Sequence, residues 1–583
     1  MKRRVVIFFA ASLLSVNGSH IEETTFQEEH ILTSSSLIAS SNSCVITPVH
    51  GILDRSNPSR SIENINREIS ELSCYDEISG HSYFFRDSIK HEIRDLYESL
   101  KSDEQMLLKL HSSSFTRDMN YIDSLENIEM ERRKRRSKDS TRSRQLDTSS
   151  QEEIRNVLIV RVSSQDASPT FGPYKLSKSI FASTKSMRSG LLDCSGGKVD
   201  LQPAQSQNID DGVIEITVDM STKDVLWKQV QNAAIDQLKA QDVHVADYHH
   251  TLLVLPDNTN FQDAAAYAFT DQPIAVFRDT TVQYQLVLLH ELGHNLGFHH
   301  SGYQEQGYGD NTCLMGSANV PWTKYIHMCY NAAKSYYSNW YHLKIDLSPI
   351  DLGLAWNGEL VGLDDYVNQR IQKDGQQVLM KVSGEGEKDL FVMFNRAKGI
   401  TKHTRYPDRV TIVQQEHEFA ASTLMGELKS RESYRTSNWG NTGYDLVIQD
   451  CGHKRAKDDG ADYAKIRVYL SNTHENIDCR KGIRFDLDTA NGDQVDLIDS
   501  EVDVSEGDDE ESSSCIEKDS NRFFFKQKED GKIHGRHCKW LRKKMIKNLE
   551  GAKEVCSRSD GNPDGYLLAS EACCTTCASI TSI

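Results

Sequence analysis

The chain has 583 residues, more than a single hydrophobic core can serve, so several domains are expected. Its formal net charge of -18 repels phosphate backbones and anionic headgroups, which excludes nucleic acid as the expected partner. Hydrophobic residues at 38% allow a sizeable core, while a mean hydropathy of -0.55 sets long solvated stretches beside it.

The chain opens MKRRVVIFFAASLLSVNGSH, with a basic start, an apolar run from Val5 to Val16 and a cleavage-site pattern at Val16 and Gly18. Residues 1–18 read as a secretory signal peptide. No later segment approaches the 18 apolar residues of a membrane helix, so no membrane span is expected and the protein is placed outside the cell or in its wall. Thirteen cysteines in a secreted chain imply disulfides, and the odd count leaves at least one thiol over.

Residues 19–136 read as a propeptide, with helical periodicity across SIKHEIRDLYESLKSDEQMLLKL and two cysteines, Cys44 and Cys74. The segment ends in ERRKRRSK. Behind a signal peptide and ahead of the apolar run NVLIVRV, this cluster suits a processing convertase that cuts after Arg136 better than a nuclear or polyanion-binding patch. Residues 137–155 then form a linker.

From residue 156 to 360 short apolar runs (NVLIVRV, VIEITVD, HTLLVLP, IAVFRD) alternate with helical patterns such as TKDVLWKQVQNAAIDQLKAQ, which predicts layered helices and strands. Residues 361–484 change to strands of period two, among them QQVLMKV, DLFVMFN, DRVTIVQQ and AKIRVYLS, and read as a β-sandwich-like domain. Residues 485–514 are strongly acidic and read as a disordered linker. Residues 515–583 are small and cysteine-dense, so disulfides are expected to hold them. Their basic run KWLRKKMIK reads first as a solvated face, with contact to wall or glycan polyanions as the alternative.

The chemistry concentrates in LLHELGHNLGFHHSG, beginning at Leu288. Helix formers without proline put His290 and His294 one turn apart on one face, where two imidazoles reach a single zinc ion. Gly297 is expected to end the helix, since glycine enters the left-handed conformation without a Cβ penalty and the chain can reverse to bring His300 back. Three neutral ligands leave the ion at +2 with room for a water, and Glu291 is placed to deprotonate that water and hand the proton to the leaving amine. His299 is assigned to a supporting or exposed position, and His249 and His250 to the surface. Fifteen residues beyond His300, Met315 in DNTCLMGSA is placed as a Met-turn beneath the imidazoles.

At these residues the sequence resembles the metzincins, and within them the gametolysin family of secreted metalloproteases. The resemblance rests on HELGHNLGFHHSG, YGDNTCLMG and CYNAAKSYYSNWY, with further likeness at CSGGKVDLQP, DLFVMFNRAKGI and DRVTIVQQ. It covers about Asn156 to Ser471 and implies a metzincin-type protease domain with a mixed sheet and an active-site helix; with the β-sandwich-like domain and the small cysteine-rich module read from strand period and cysteine density, the chain is expected to be α+β. The resemblance also implies one catalytic zinc held by His290, His294 and His300, with Glu291 catalytic, and protein substrates of extracellular matrix or cell wall. Whether a structural calcium ion accompanies the zinc is left open. Some metzincins carry a tyrosine two positions after the methionine; here Ser317 stands there, and Tyr303 and Tyr308 are the candidates to replace it. The order of the last six cysteines is similar to ShK-toxin-like modules, although the ending ACCTTCASI departs from their spacing.

Proximity pairs Cys313 with Cys329 and Cys451 with Cys479, leaving Cys194 alone. Cys44 and Cys74 are expected to bridge one another, the alternative being a cysteine switch in which one thiolate blocks the zinc until cleavage at Arg136. IAVFRD is the expected edge strand of the cleft. The function expected is a secreted zymogen endopeptidase; the rival is an extracellular binding protein with a vestigial protease fold, against which the intact ligand set and Glu291 speak.

Overall fold

The computed structural model describes residues 43–53, 69–134, 153–316, 325–348 and 356–479, with short omissions inside these ranges, and parts of 522–577. The signal segment, Arg136, Ser317 and the acidic stretch lie outside the described residues. The chain divides into two compact units, residues 1–498 and 499–583.

The N-terminal segment contributes β1 (Ser43–Leu53), β2 (Ile69–Tyr75), β3 (Ser82–Phe85), α1 (Lys90–Glu98), β4 (Glu104–Lys109), β5 (Tyr121–Ile122) and β6 (Glu129–Lys134). The helical periodicity expected through Leu110 ends at Glu98, and EQMLLK is a strand instead: pairing with β1 and β6 outweighs its helix-forming composition. Next come β7 (Glu153–Ser163), α2 (Pro173–Phe181), α3 (Met187–Cys194), β8 (Val199–Pro203), β9 (Val213–Thr217), α4 (Trp227–Ala240), β10 (His250–Leu255), β11 (Ala264–Phe269), β12 (Ile274–Arg278) and α5 (Gln285–Asn295). The first of these strands starts at Glu153, inside the stretch expected to be linker.

All twelve strands form one sheet, whose main path runs β5-β3-β2-β1-β11-β12-β10-β7-β8. Its centre is parallel: β10 pairs with β12 on one side and β7 on the other. Both strands are continuous apolar runs because helices cover both faces. Val157 and Ile159 of β7 face a cluster that includes Leu176 of α2, Leu191 of α3 and Leu289 of α5. The alternate residues Leu158, Val160 and Val162 face Trp227, Val230 and Leu238 of α4. IAVFRD is therefore interior, a correction to its expected place at the edge. The border strand of this helix-covered region is β11, and on its outer side it pairs antiparallel with β1 of the N-terminal segment.

Beyond α5 the chain supplies β13 (Ser301–Tyr303), α6 (Ala332–Tyr337), β14 (Lys344–Leu347), β15 (Trp356–Val361), β16 (Gln376–Gln377), β17 (Leu379–Val382), β18 (Asp389–Asn395), β19 (Arg409–Gln415), β20 (Ser422–Leu428), β21 (Ser433–Thr436), β22 (Asp445–Lys454) and β23 (Tyr463–Ser471). They form a six-stranded sheet, β13-β20-β19-β18-β17-β14, and a five-stranded sheet, β16-β15-β23-β22-β21. Period two explains the packing. Met380, Leu390, Val392 and Ile412 of the first sheet share a cluster with Leu446, Ile448 and Val468 of the second. The alternate residues Leu379, Phe391, Met393 and Val413 join the cluster that holds α5. The outer strands β13 and β14 come from the segment expected to be protease, so the two regions interlock.

In the second unit, a strand pair (Arg522–Gln527 and Ile533–His537) and a helix (Leu549–Cys556) are described, with disulfides Cys538–Cys573 and Cys556–Cys577. No helix among the described residues is long and apolar enough to cross a membrane.

Candidate metal centre and active site

Every residue of α5 is buried, so its polar side chains point into a space the fold has enclosed. The helix ends in a Schellman turn. The Phe298 N–H donates to Gly293 O at 2.9 Å and the Gly297 N–H to His294 O at 2.8 Å, while Gly297 takes φ +89°. This reversal returns His300 to the helix face that carries His290 and His294.

The Nε2 atoms of His290 and His294 lie 3.2 Å apart, and those of His294 and His300 lie 3.1 Å apart. At the other side of each helix ring, His290 Nδ1 donates to Leu314 O and His294 Nδ1 to Phe298 O, both at 2.8 Å. A carbonyl cannot donate, so the ring proton sits on Nδ1 and Nε2 presents a lone pair. Lone pairs converging at such distances repel unless a cation lies among them, and the spacing suits bonds of roughly 2.0–2.1 Å to one zinc ion. Among the described residues this is the histidine, cysteine and carboxylate set whose ligand atoms all lie within 4.8 Å of one another. Burial depresses the basicity of all three, His290 to about 4 and the other two well below the usual histidine range, so each ring is neutral as a ligand must be.

Glu291 is fully buried, and burial raises its carboxyl well above the usual carboxylate range. The Ile52 amide N–H of β1 opposes that shift, although neither carboxylate oxygen makes a hydrogen bond of ordinary length and angle. Met315 is buried, and a Cβ on Gly293 would stand 2.3 Å from its sulfur, so helix and Met-containing turn touch because position 293 has no side chain. The same turn supplies the Leu314 carbonyl that orients His290.

Tyr308, rather than Tyr303, stands over the centre. Its ring lies 3.9 Å from that of His300, and its hydroxyl donates to Gly51 O at 2.9 Å. Beside Gly51, His50 packs on the histidine set: its ring is stacked on His294 at 4.6 Å and meets His300 edge-on at 4.4 Å. Burial first, and the nearness of His290 second, push His50 down to about 3. Nothing in the sequence marks it, because its place depends on the pairing of β1 with β11.

Below the ligands lies a polar floor. The Ser422 N–H donates to His300 O at 3.1 Å, Lys334 Nζ donates to Ser422 Oγ at 2.8 Å, and Asn331 Nδ2 donates to Asp310 Oδ2 at 3.0 Å. Burial lowers Lys334 to about 8 and raises Asp310. Ser422 belongs to β20, so the second β region braces the third histidine directly. No motif announces it.

Several expectations are corrected. Cys329 pairs with Cys194, not Cys313; among the described residues Cys313 is the free thiol, buried and accepting from the Asn331 N–H and Ser301 Oγ at 3.3 Å. Nearness in sequence misleads here because the turn points Cys313 inward while α3 brings Cys194 to Cys329. Cys44 and Cys74 are joined to each other, so neither offers the thiolate of a cysteine switch; Cys451–Cys479 forms as expected. His250 is buried at the start of β10, whereas His249 is exposed and accepts from the Asn156 N–H. His299 is half-buried, its ring edge-on to His50 at 5.4 Å.

Comparison with known proteins gives one family. The sequence model described as gametolysin peptidase M11 matches residues 155–347, which hold α5, the histidine set and Met315. No curated protein matches. Among solved structures, a chaperone-substrate complex aligns with 29% of this chain and 29% of its own at 15% identity, with a TM-score of 0.18, so this chain spans under a third of that one. The family match and the three converging imidazoles agree: residues 155–347 match the gametolysin peptidase M11 family, a likeness that implies a metallopeptidase.

Proposed function

We propose that the protein is a zinc-dependent endopeptidase, made as a secreted zymogen, that hydrolyses peptide bonds in extracellular matrix or cell-wall proteins. The observation that carries this reading is the set of three buried imidazoles with facing Nε2 atoms on and after the helix that bears Glu291. A zinc ion bound there would polarise a scissile carbonyl and acidify a water molecule. Glu291 acts as general base toward the attacking water and then delivers the proton to the leaving amine. Tyr308 donates to the carbonyl oxygen of the substrate as it donates to that of Gly51, supporting the charge that develops there.

Zymogen processing after Arg136 by a basic-site convertase fits the disulfides. Cys44–Cys74 closes within the N-terminal segment and Cys194–Cys329 within the remainder, so among the described residues no bridge would retain a cut segment. The substrate class comes from the resemblance to gametolysins, and the disulfides accord with secretion. The test is cleavage of a peptide library by chain cut after Arg136, beside a Glu291→Gln control and a measurement of bound zinc. Stoichiometric zinc with cleavage confined to the Glu291 enzyme is expected; a zinc-loaded, folded protein that cuts nothing would refute the reading.

A further inference from the structure

β1 lies where a peptide substrate would lie. It pairs antiparallel with β11, with Val49 opposite Phe269, His50 opposite Ala268 and Gly51 opposite Tyr267. The Gly51 carbonyl accepts from Tyr308 at 2.9 Å and the Ile52 N–H faces Glu291, so the Gly51–Ile52 bond stands between the two groups proposed to act on a scissile bond. The residues on either side of that bond therefore show which side chains the position admits.

On the acyl side of the bond a Cβ finds no room. Built on Gly51, it would stand 2.5 Å from Cε1 and 2.7 Å from Cδ1 of Tyr267. That ring is held in place: it is stacked on Trp227 at 4.4 Å, and its hydroxyl donates to Phe261 O at 3.2 Å. Trp227 and Phe261 both follow Arg136 in sequence, so these restraints stay with the processed chain. On the amine side the demand is opposite. Ile52 is buried in the apolar cluster that also contains Leu288, Leu289 and Leu292 of α5, so an aliphatic side chain there is drawn from water by the helix that carries Glu291.

We propose that the processed enzyme takes extended peptides with glycine before the scissile bond and a bulky aliphatic residue after it, and that Tyr267 of β11 imposes the glycine. β11 pairs with β12 on one side and with β1 on the other. Once β1 leaves, the outer backbone groups of β11 pair with an incoming strand, whose alternate side chains are sorted by the two faces. The step is hydrolysis: as the C–N bond breaks, the hydroxyl of water joins the glycine carbonyl carbon and its hydrogen joins the aliphatic residue's amine. The inference deepens the peptidase reading and rests on it.

For the test, the full chain is cut after Arg136, freed of its N-terminal segment and offered two peptides, TPVHGILD, which copies β1, and TPVHAILD. For cleavage before the isoleucine, kcat/KM should be at least about tenfold higher with glycine than with alanine. Tyr267→Phe keeps the ring and should keep that ratio. Tyr267→Val and Tyr267→Ala empty the space and should bring the ratio to within about threefold. Binding of the same peptides to the Glu291→Gln form, followed by fluorescence anisotropy, should show the same preference and the same response to substitution. Equal handling of the two peptides by the parent, peptides that neither bind nor are cut, or an undiminished preference in whichever of the valine and alanine variants folds would overturn the inference. Glycine-preferring binding without any cleavage would sink the peptidase reading alone, and cleavage without the glycine preference would sink this inference alone.

Discussion

The helix and turn that gather His290, His294 and His300 and the strand that lies across them serve one site through opposite kinds of encoding. In the first, a helical repeat and one glycine fix every position within eleven residues of sequence, and Gly297 at φ +89° is the only unusual backbone requirement between the second and third histidines. In the second, Gly51 and Tyr308 meet although 257 positions separate them, and only the pairing of β1 with β11 brings them together. The difference teaches which part can be removed. β1 belongs to the N-terminal segment and joins the helix-covered region by pairing with β11, so it can leave while the ligand set, braced by Leu314, Phe298 and Ser422, keeps its geometry.

The sharpest way to break that comparison is at the helix. Glu291→Gln should lower kcat/KM of the processed chain on a peptide by about 10² to 10⁴-fold with zinc content unchanged, and activity within a few fold of the parent would remove Glu291 from its role. Tyr308→Phe touches both partners of the comparison. It should cost about 10²-fold in kcat with little change in KM, as loss of one donor to a developing charge does; an unchanged kcat would leave the tyrosine as a contact of β1 only. Gly51→Ala strikes the strand alone, where the forced contact with Tyr267 should weaken docking by about 1–3 kcal/mol. Hydrogen exchange in the full chain should then speed up along β1 and not along α5; equal acceleration in both would mean that the strand and the ligand set unfold together. The smallest effect is expected from Gly297→Ala, which should cost about 1 kcal/mol and lower Tm by roughly 2–4 °C. A thermal melt that does not move would show that the turn is less constrained than its backbone angle requires.

What was legible follows the same division. The gathering of His290, His294 and His300, the helix end before Gly297 and the burial of Met315 depend on contacts close in sequence, and residue spacing carries them. Cys194 with Cys329, separated by 135 positions, does not show in spacing; Cys313 looked the nearer partner because the direction in which a turn aims a side chain is not written in a count of residues. IAVFRD and AAAYAF are both short apolar runs, and only the completed sheet shows that the first is interior and the second is where the helix-covered region meets β1 of the N-terminal segment. Ser422 and Lys334 were missed because a hydroxyl and an amine acquire their meaning from burial beneath His300.

The double-sided sheet that runs from β13 to β14 bears on how the protein can be handled. Phe391 and Met393 press on the catalytic side while Leu390 and Val392 press on the opposite one. A fragment cut to residues 155–347 would therefore shed the wall against which α5 rests, exposing a greasy flank and inviting precipitation. The stretch that similarity picks out is shorter than the piece able to stand alone, and expression of the enzyme should run through Ser471.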